Sequence, residues 1–168
     1  MHTDGWTRQL LRFGGGGAIT WTDVVAGYDF GLLTPEMVCA WVEAQPRLGE
    51  AGRRLLRLEG DEALTFEARM WEACAEHLGR VPRPGERSWA AAQDRWRKAL
   101  LREALEADLT EPALARAIEA IYEQVGCPED MLGLWERRSP WQGGPGRVEF
   151  AALWTFLEPS VLPAPAAA

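Results

Sequence analysis

The sequence predicts an all-α fold, a single compact domain of about eight short to medium amphipathic helices with no sheet. Three observations carry that expectation. Segment after segment repeats an apolar stripe at a spacing of three and four residues, usually opened by Thr, Ser or Pro and closed by Gly, and none alternates as a half-buried strand would. The chain has 168 residues, 47% of them hydrophobic and 26% charged, and a chain of that length buries about 70% of its unfolded surface around one core. Nine Trp against two Tyr supply anchors that each bury about 200 Å², so indoles are expected to hold that core.

The elements follow in chain order. Residues 1–17 are read as a flexible segment with a glycine hinge, because Gly14-Gly15-Gly16-Gly17 is entropically costly to order. The helical domain is placed at 18–158, and the Pro/Ala stretch 159–168 is read as a disordered tail. Thr20, with Asp23 three residues on, caps a first helix whose Trp21, Val24, Val25 and Tyr28 share a face before Gly31. Thr34-Pro35-Glu36 opens a second, with Val38, Trp41 and Val42 inward. Leu48, Ala51, Leu55 and Leu58 align in a third. A longer helix over Asp61–Leu78 turns Ala63, Phe66, Met70, Ala73, Cys74 and His77 inward and Glu62, Arg69, Glu72 and Glu76 outward, with Gly79 as its stop. Ser88 is expected to cap the central helix, which runs through Glu106 and buries Trp89, Trp96, Leu100 and Ala104. Thr110-Glu111-Pro112 opens another, with Leu114, Ala117, Ile118, Ile121 and Val125 aligned, and Gly126 closes it. Pro128 begins a shorter one carrying Met131, Leu132 and Trp135. After a Ser139–Gly146 loop, Phe150, Leu153, Trp154 and Leu157 mark the last.

Bulk charge excludes several function classes. A net charge of −7 argues against nucleic acid as a partner, since Lys and Arg neutralising phosphate supply most of the non-specific affinity. Charges interrupt every apolar run well short of the roughly 18 residues that cross a bilayer, so no membrane span is expected. Three Cys without paired spacing, and no secretory signal over Met1–Phe13, point to a reducing cytoplasm. Acids dominate Leu101–Asp130, eight against two Arg, and bases dominate Arg80–Leu100, six against two acids.

Catalytic templates mostly fail. The histidines are His2 and His77, too few for a two-histidine zinc site or a carboxylate-bridged di-iron bundle. Cys74 and His77 fall on one helical face, the spacing of half a metal site or of a nucleophile and its base. Both lie on the apolar stripe, so the favoured reading is a buried Cys beside a hydrogen-bonded His. Cys127, before Pro128 at a helix start, is read as a small structural residue rather than an activated thiol. Glu62, Glu72 and Glu76 read as a solvated face paired with Arg69 and Arg80. The Gly14–Gly17 run lacks the Lys-Ser/Thr ending of a phosphate loop. No catalytic residue, metal or cofactor is assigned.

Two candidate partner surfaces remain. Trp141 sits in Ser139-Pro140-Trp141-Gln142-Gly143-Gly144-Pro145-Gly146 without an amphipathic frame to bury it, either folded back on the core or free as a contact anchor. Glu103, Glu106, Glu119 and Glu123 lie in the acidic stretch, where they would attract a basic partner.

Ile19-Thr20-Trp21-Thr22-Asp23, then Gly27, Gly31-Leu32-Leu33 and Ala40, resembles the opening of an uncharacterised bacterial helical family, domain of unknown function 2247. Trp96–Leu105, Ile118–Tyr122 and Pro128-Glu129-Asp130-Met131 are similar to that family's second half. The matched positions are caps and core residues, and they bring no catalytic residues with them. The resemblance implies a place among bacterial toxin and immunity loci. The expected function is therefore non-enzymatic binding of one protein partner, a basic toxin neutralised by stoichiometric contact. The alternatives are a small thiol- or metal-dependent enzyme centred on Cys74 and His77, or an adaptor in a larger bacterial assembly.

Overall fold

A computed structural model describes residues 4–14, 17–58, 63–136 and 146–157. The chain runs through α1 (Asp4–Phe13), α2 (Trp21–Asp29), α3 (Pro35–Glu43), α4 (Glu50–Leu56), α5 (Ala63–Leu78), α6 (Arg87–Glu106) and α7 (Glu111–Gln124). A 3-10 helix, Glu129–Leu134, then leads to β1 (Trp135–Glu136), β2 (Arg147–Val148) and α8 (Phe150–Leu157). The fold is all-α, as the periodicity predicts. Among the described residues the only extended pairing is the antiparallel ladder of Trp135 with Val148 and Glu136 with Arg147.

Helix starts follow from local chemistry where the sequence supplies it. At α2, Thr20 Oγ1 accepts the Asp23 N–H at 3.3 Å while the Asp23 carboxylate accepts the Thr20 N–H at 2.8 Å, a reciprocal capping box. Thr34 Oγ1 accepts the Met37 N–H at 3.4 Å, with Pro35 in the first turn of α3. At α4 the cap comes from elsewhere. Gly49 brings no side-chain acceptor, and the Glu76 carboxylate on α5 accepts the N–H groups of Glu50 and Ala51 at 3.1 and 2.9 Å. Glu76 therefore binds backbone rather than an Arg, and Arg80 pairs with Glu86 at 2.6 Å. Glu72 does meet Arg69, at 2.7 Å. The expected cap of α6 is displaced too: Glu86 occupies the N-cap, and Ser88 lies inside the helix with its hydroxyl buried.

Helix α6 spans about 30 Å at the usual rise and serves as the spine. Its N-terminal part joins α1–α5 in a core holding Trp6, Trp21, Trp41, Trp89 and Trp96. Its C-terminal part joins α7, the 3-10 helix, the ladder and α8 around Leu101, Ile118, Met131, Leu134, Trp135 and Leu153. Phe30 touches both clusters. At the centre, the Trp96 indole N–H donates to the Asp23 carbonyl at 2.7 Å and the ring stacks on Trp6 at 5.8 Å. Arg95 donates to the 2%-exposed Asp23 carboxylate at 2.7 Å, so the acid that caps α2 also ties it to α6.

One boundary is corrected. The sequence places residues 1–17 outside the folded domain, yet α1 lies on α6 with Trp6 and Leu10 buried. Trp6, Leu10 and Phe13 form a helical stripe, and Arg102 fixes its end by donating to the Phe13 carbonyl at 2.9 Å. Gly14 is part of that packing: a Cβ there would lie 3.2 Å from the Arg95 carbonyl oxygen of α6. Gly15, Gly16 and the 159–168 tail lie outside the described residues. The Pro128 segment is also more tightly wound than expected, a 3-10 helix in which the Met131 N–H donates to the Pro128 carbonyl at 3.0 Å.

Candidate functional site

The acidic residues singled out in the sequence do not gather into one surface. Glu103 accepts from the side-chain amide of Gln9, and Glu106 pairs with Arg12 at 3.3 Å, so α1 engages both. Glu123 is exposed and Glu119 half-buried on α7. Gln93 of α6 donates to the Val125 carbonyl at 2.7 Å, which sets the end of α7 beside residue 93. Glu103 lies about 15 Å further along α6 at 1.5 Å per residue. The two glutamate pairs thus sit toward opposite ends of the α6–α7 hairpin. Trp141 lies outside the described residues.

The Cys74–His77 pair divides. Cys74 is fully buried, and burial pushes its thiol up to about 12, which leaves almost no thiolate at neutral pH. His77 is exposed rather than buried. It lies in the last turn of α5, where Leu78 is 39% exposed as well; the apolar stripe outruns the helices that cover it. Among the described residues no three His, Cys, Asp or Glu side chains come together as metal ligands would. Cys127 is exposed, at a φ of 54° directly after Gly126, and it marks the reversal that ends α7.

The surface feature that sequence reasoning missed is on α8. Phe150, Leu153, Trp154 and Leu157 share one stripe about 100° wide, which predicts burial for all four. Leu153 and Leu157 are buried, but Phe150 is 44% and Trp154 59% exposed. The helix beneath them is held firmly. Arg102 donates to the Leu157 carbonyl at 2.6 Å, the Glu149 N–H donates to the Leu134 carbonyl at 2.9 Å, and Arg97 lies 4.8 Å from the Phe156 ring centroid. Arg97 also meets Asp94 and Asp130 at 2.9 and 2.6 Å, which secures the 3-10 helix beside α8. That 3-10 helix adds Leu132, 41% exposed, with Glu129 and Asp130 exposed next to it. Two aromatic side chains therefore stand in solvent on a fixed platform.

No family model matches this chain, and neither a curated protein nor a solved structure is significantly similar to it. Among the described residues, no helix is long and apolar enough to cross a membrane.

Proposed function

We propose that this protein is a non-enzymatic binding domain that occupies one protein partner stoichiometrically, with α8 as the contact surface. The observation that carries the reading is Trp154, 59% exposed one turn from the exposed Phe150. Trp is among the residues most enriched at the energetic centre of protein interfaces, and an apolar group presented on a rigid element loses little freedom on binding. The net charge of −7 favours a basic partner and speeds its approach. Together with the family resemblance, this supports an immunity-type role in the bacterial cytoplasm, in which the partner is a basic toxin blocked sterically. An adaptor in a larger assembly would use the same surface. An enzyme built on Cys74 is disfavoured by the burial of its thiol.

The test is affinity capture of the tagged protein from cells of its source, run in parallel with a Phe150→Ser/Trp154→Ser variant. The reading expects one basic protein at equimolar yield on the wild type and its loss on the variant. For the immunity role, co-production must also relieve that protein's toxicity. Equal recovery on both baits would remove α8 as the contact surface.

A further inference from the structure

A second surface differs from α8 in both place and chemistry. Between α4 and α5 lies a cleft of about 190 Å³, lined by Trp21, Gln45, Arg47, Leu48, Ala73 and His77 among others. Leu48, Ala73 and Trp21 supply the apolar side chains of the lining. Its rim carries hydrogen-bonding groups whose commitments can be followed one by one. The Glu76 carboxylate is engaged by the backbone N–H groups of Glu50 and Ala51. The Gln45 amide N–H donates to the Trp41 carbonyl at 2.9 Å. Arg47 has no hydrogen-bonding or ionic partner among the described residues, and His77 has only a ring contact with Trp21 at 6.3 Å. Arg47 is thus a permanent cation free to meet a carboxylate in two parallel hydrogen bonds, and His77 lines the same cleft with an uncommitted imidazole. In the surrounding segment Arg53 pairs with Glu50 at 3.3 Å and Arg54 with Glu72 at 3.9 Å, so Arg47 is the cation of the cleft lining that stands uncommitted among the described residues.

We propose that this cleft binds a small organic carboxylate with a flat apolar body, its anion held by Arg47 and His77 and its body lodged against Trp21, Leu48 and Ala73. The volume admits a compact ring or a short branched chain and not a nucleotide, and the Trp21, Leu48 and Ala73 side chains in the lining give an organic acid contacts that an inorganic anion lacks. The site is separate from the α8 surface, and neither proposal depends on the other.

The experiment is a nitrogen-15 correlated NMR titration of the full chain with benzoate, with benzamide and inorganic phosphate as controls. The proposal expects saturable shifts centred on the Trp21 indole N–H and the Arg47 Nε–H. Benzamide and the Arg47→Gln variant should each bind at least about tenfold more weakly, about 1.4 kcal/mol. His77→Gln should weaken binding less, and Phe150→Ser/Trp154→Ser should bind as the wild type does. Arg47 and His77 are exposed, so an unchanged spectrum elsewhere reports an intact fold. Absence of a saturable shift, equal binding of benzamide, or equal shifts with phosphate would each overturn the proposal.

Discussion

Single residues show which local choices are dictated nearby and which at a distance. The Thr20–Asp23 cap could be read directly, because both partners lie within one helical turn. Gly27 could not, since its reason stands on another helix: a Cβ there would lie 2.5 Å from Trp96 Cζ2. Gly27→Ala is expected to destabilise the protein by about 1–3 kcal/mol, the usual cost of overpacking a core, and to lower the melting temperature by about 2–4 °C per kcal/mol. An unchanged melting curve would mean that Trp96 is free to move. The thiols give a second check. Iodoacetamide at neutral pH should modify exposed Cys127 first, half-buried Cys39 slowly, and buried Cys74 only on unfolding, as mass spectrometry of timed samples would record. Burial favours the neutral Cys74 thiol, so its contribution to stability is complete below the ordinary value of 9.0 and is lost as pH rises through about 12. Cys74→Val should flatten that alkaline decline.

Among the elements, periodicity located the helices well, because amphipathic stripes survive whatever the neighbours do. It failed where the covering surface, rather than the stripe, decides the outcome. The glycines after Phe13 made α1 look detached, yet Trp6 and Leu10 find α6 and are buried. On α8 the stripe is present but its cover ends early, leaving Phe150 and Trp154 in solvent. The start of α4 shows the same limit, since its cap is a carboxylate from α5 that arrives only with the tertiary fold. Glu76→Ala is expected to cost about 1–2 kcal/mol, as cap removals do, and to speed hydrogen exchange at the Glu50 and Ala51 amides before it affects α6. Uniform loss of protection along the whole chain would show instead that Glu76 is not a local cap. As a site, the four glutamates looked continuous in sequence, but α1 takes up Glu103 and Glu106 while Glu119 and Glu123 lie toward the other end of the hairpin.

For the whole molecule, α6 joins two adjoining cores, and the smaller one carries α8 outward with its aromatic pair exposed. Charge patterning predicted an acidic binding face; the geometry shifts weight from the α7 glutamates to the exposed aromatic pair of α8. The two versions separate cleanly in energy, because apolar anchors dominate affinity whereas rim charges mainly govern the association rate and its salt dependence. The decisive measurement is titration calorimetry of the captured partner against the wild type, Phe150→Ser/Trp154→Ser and Glu119→Lys/Glu123→Lys, with circular dichroism confirming equal helicity. The α8 variant should bind at least about 30-fold more weakly, about 2 kcal/mol, and the α7 variant only a few-fold more weakly, by an amount that salt erases. Unchanged affinity in the α8 variant would contradict the account.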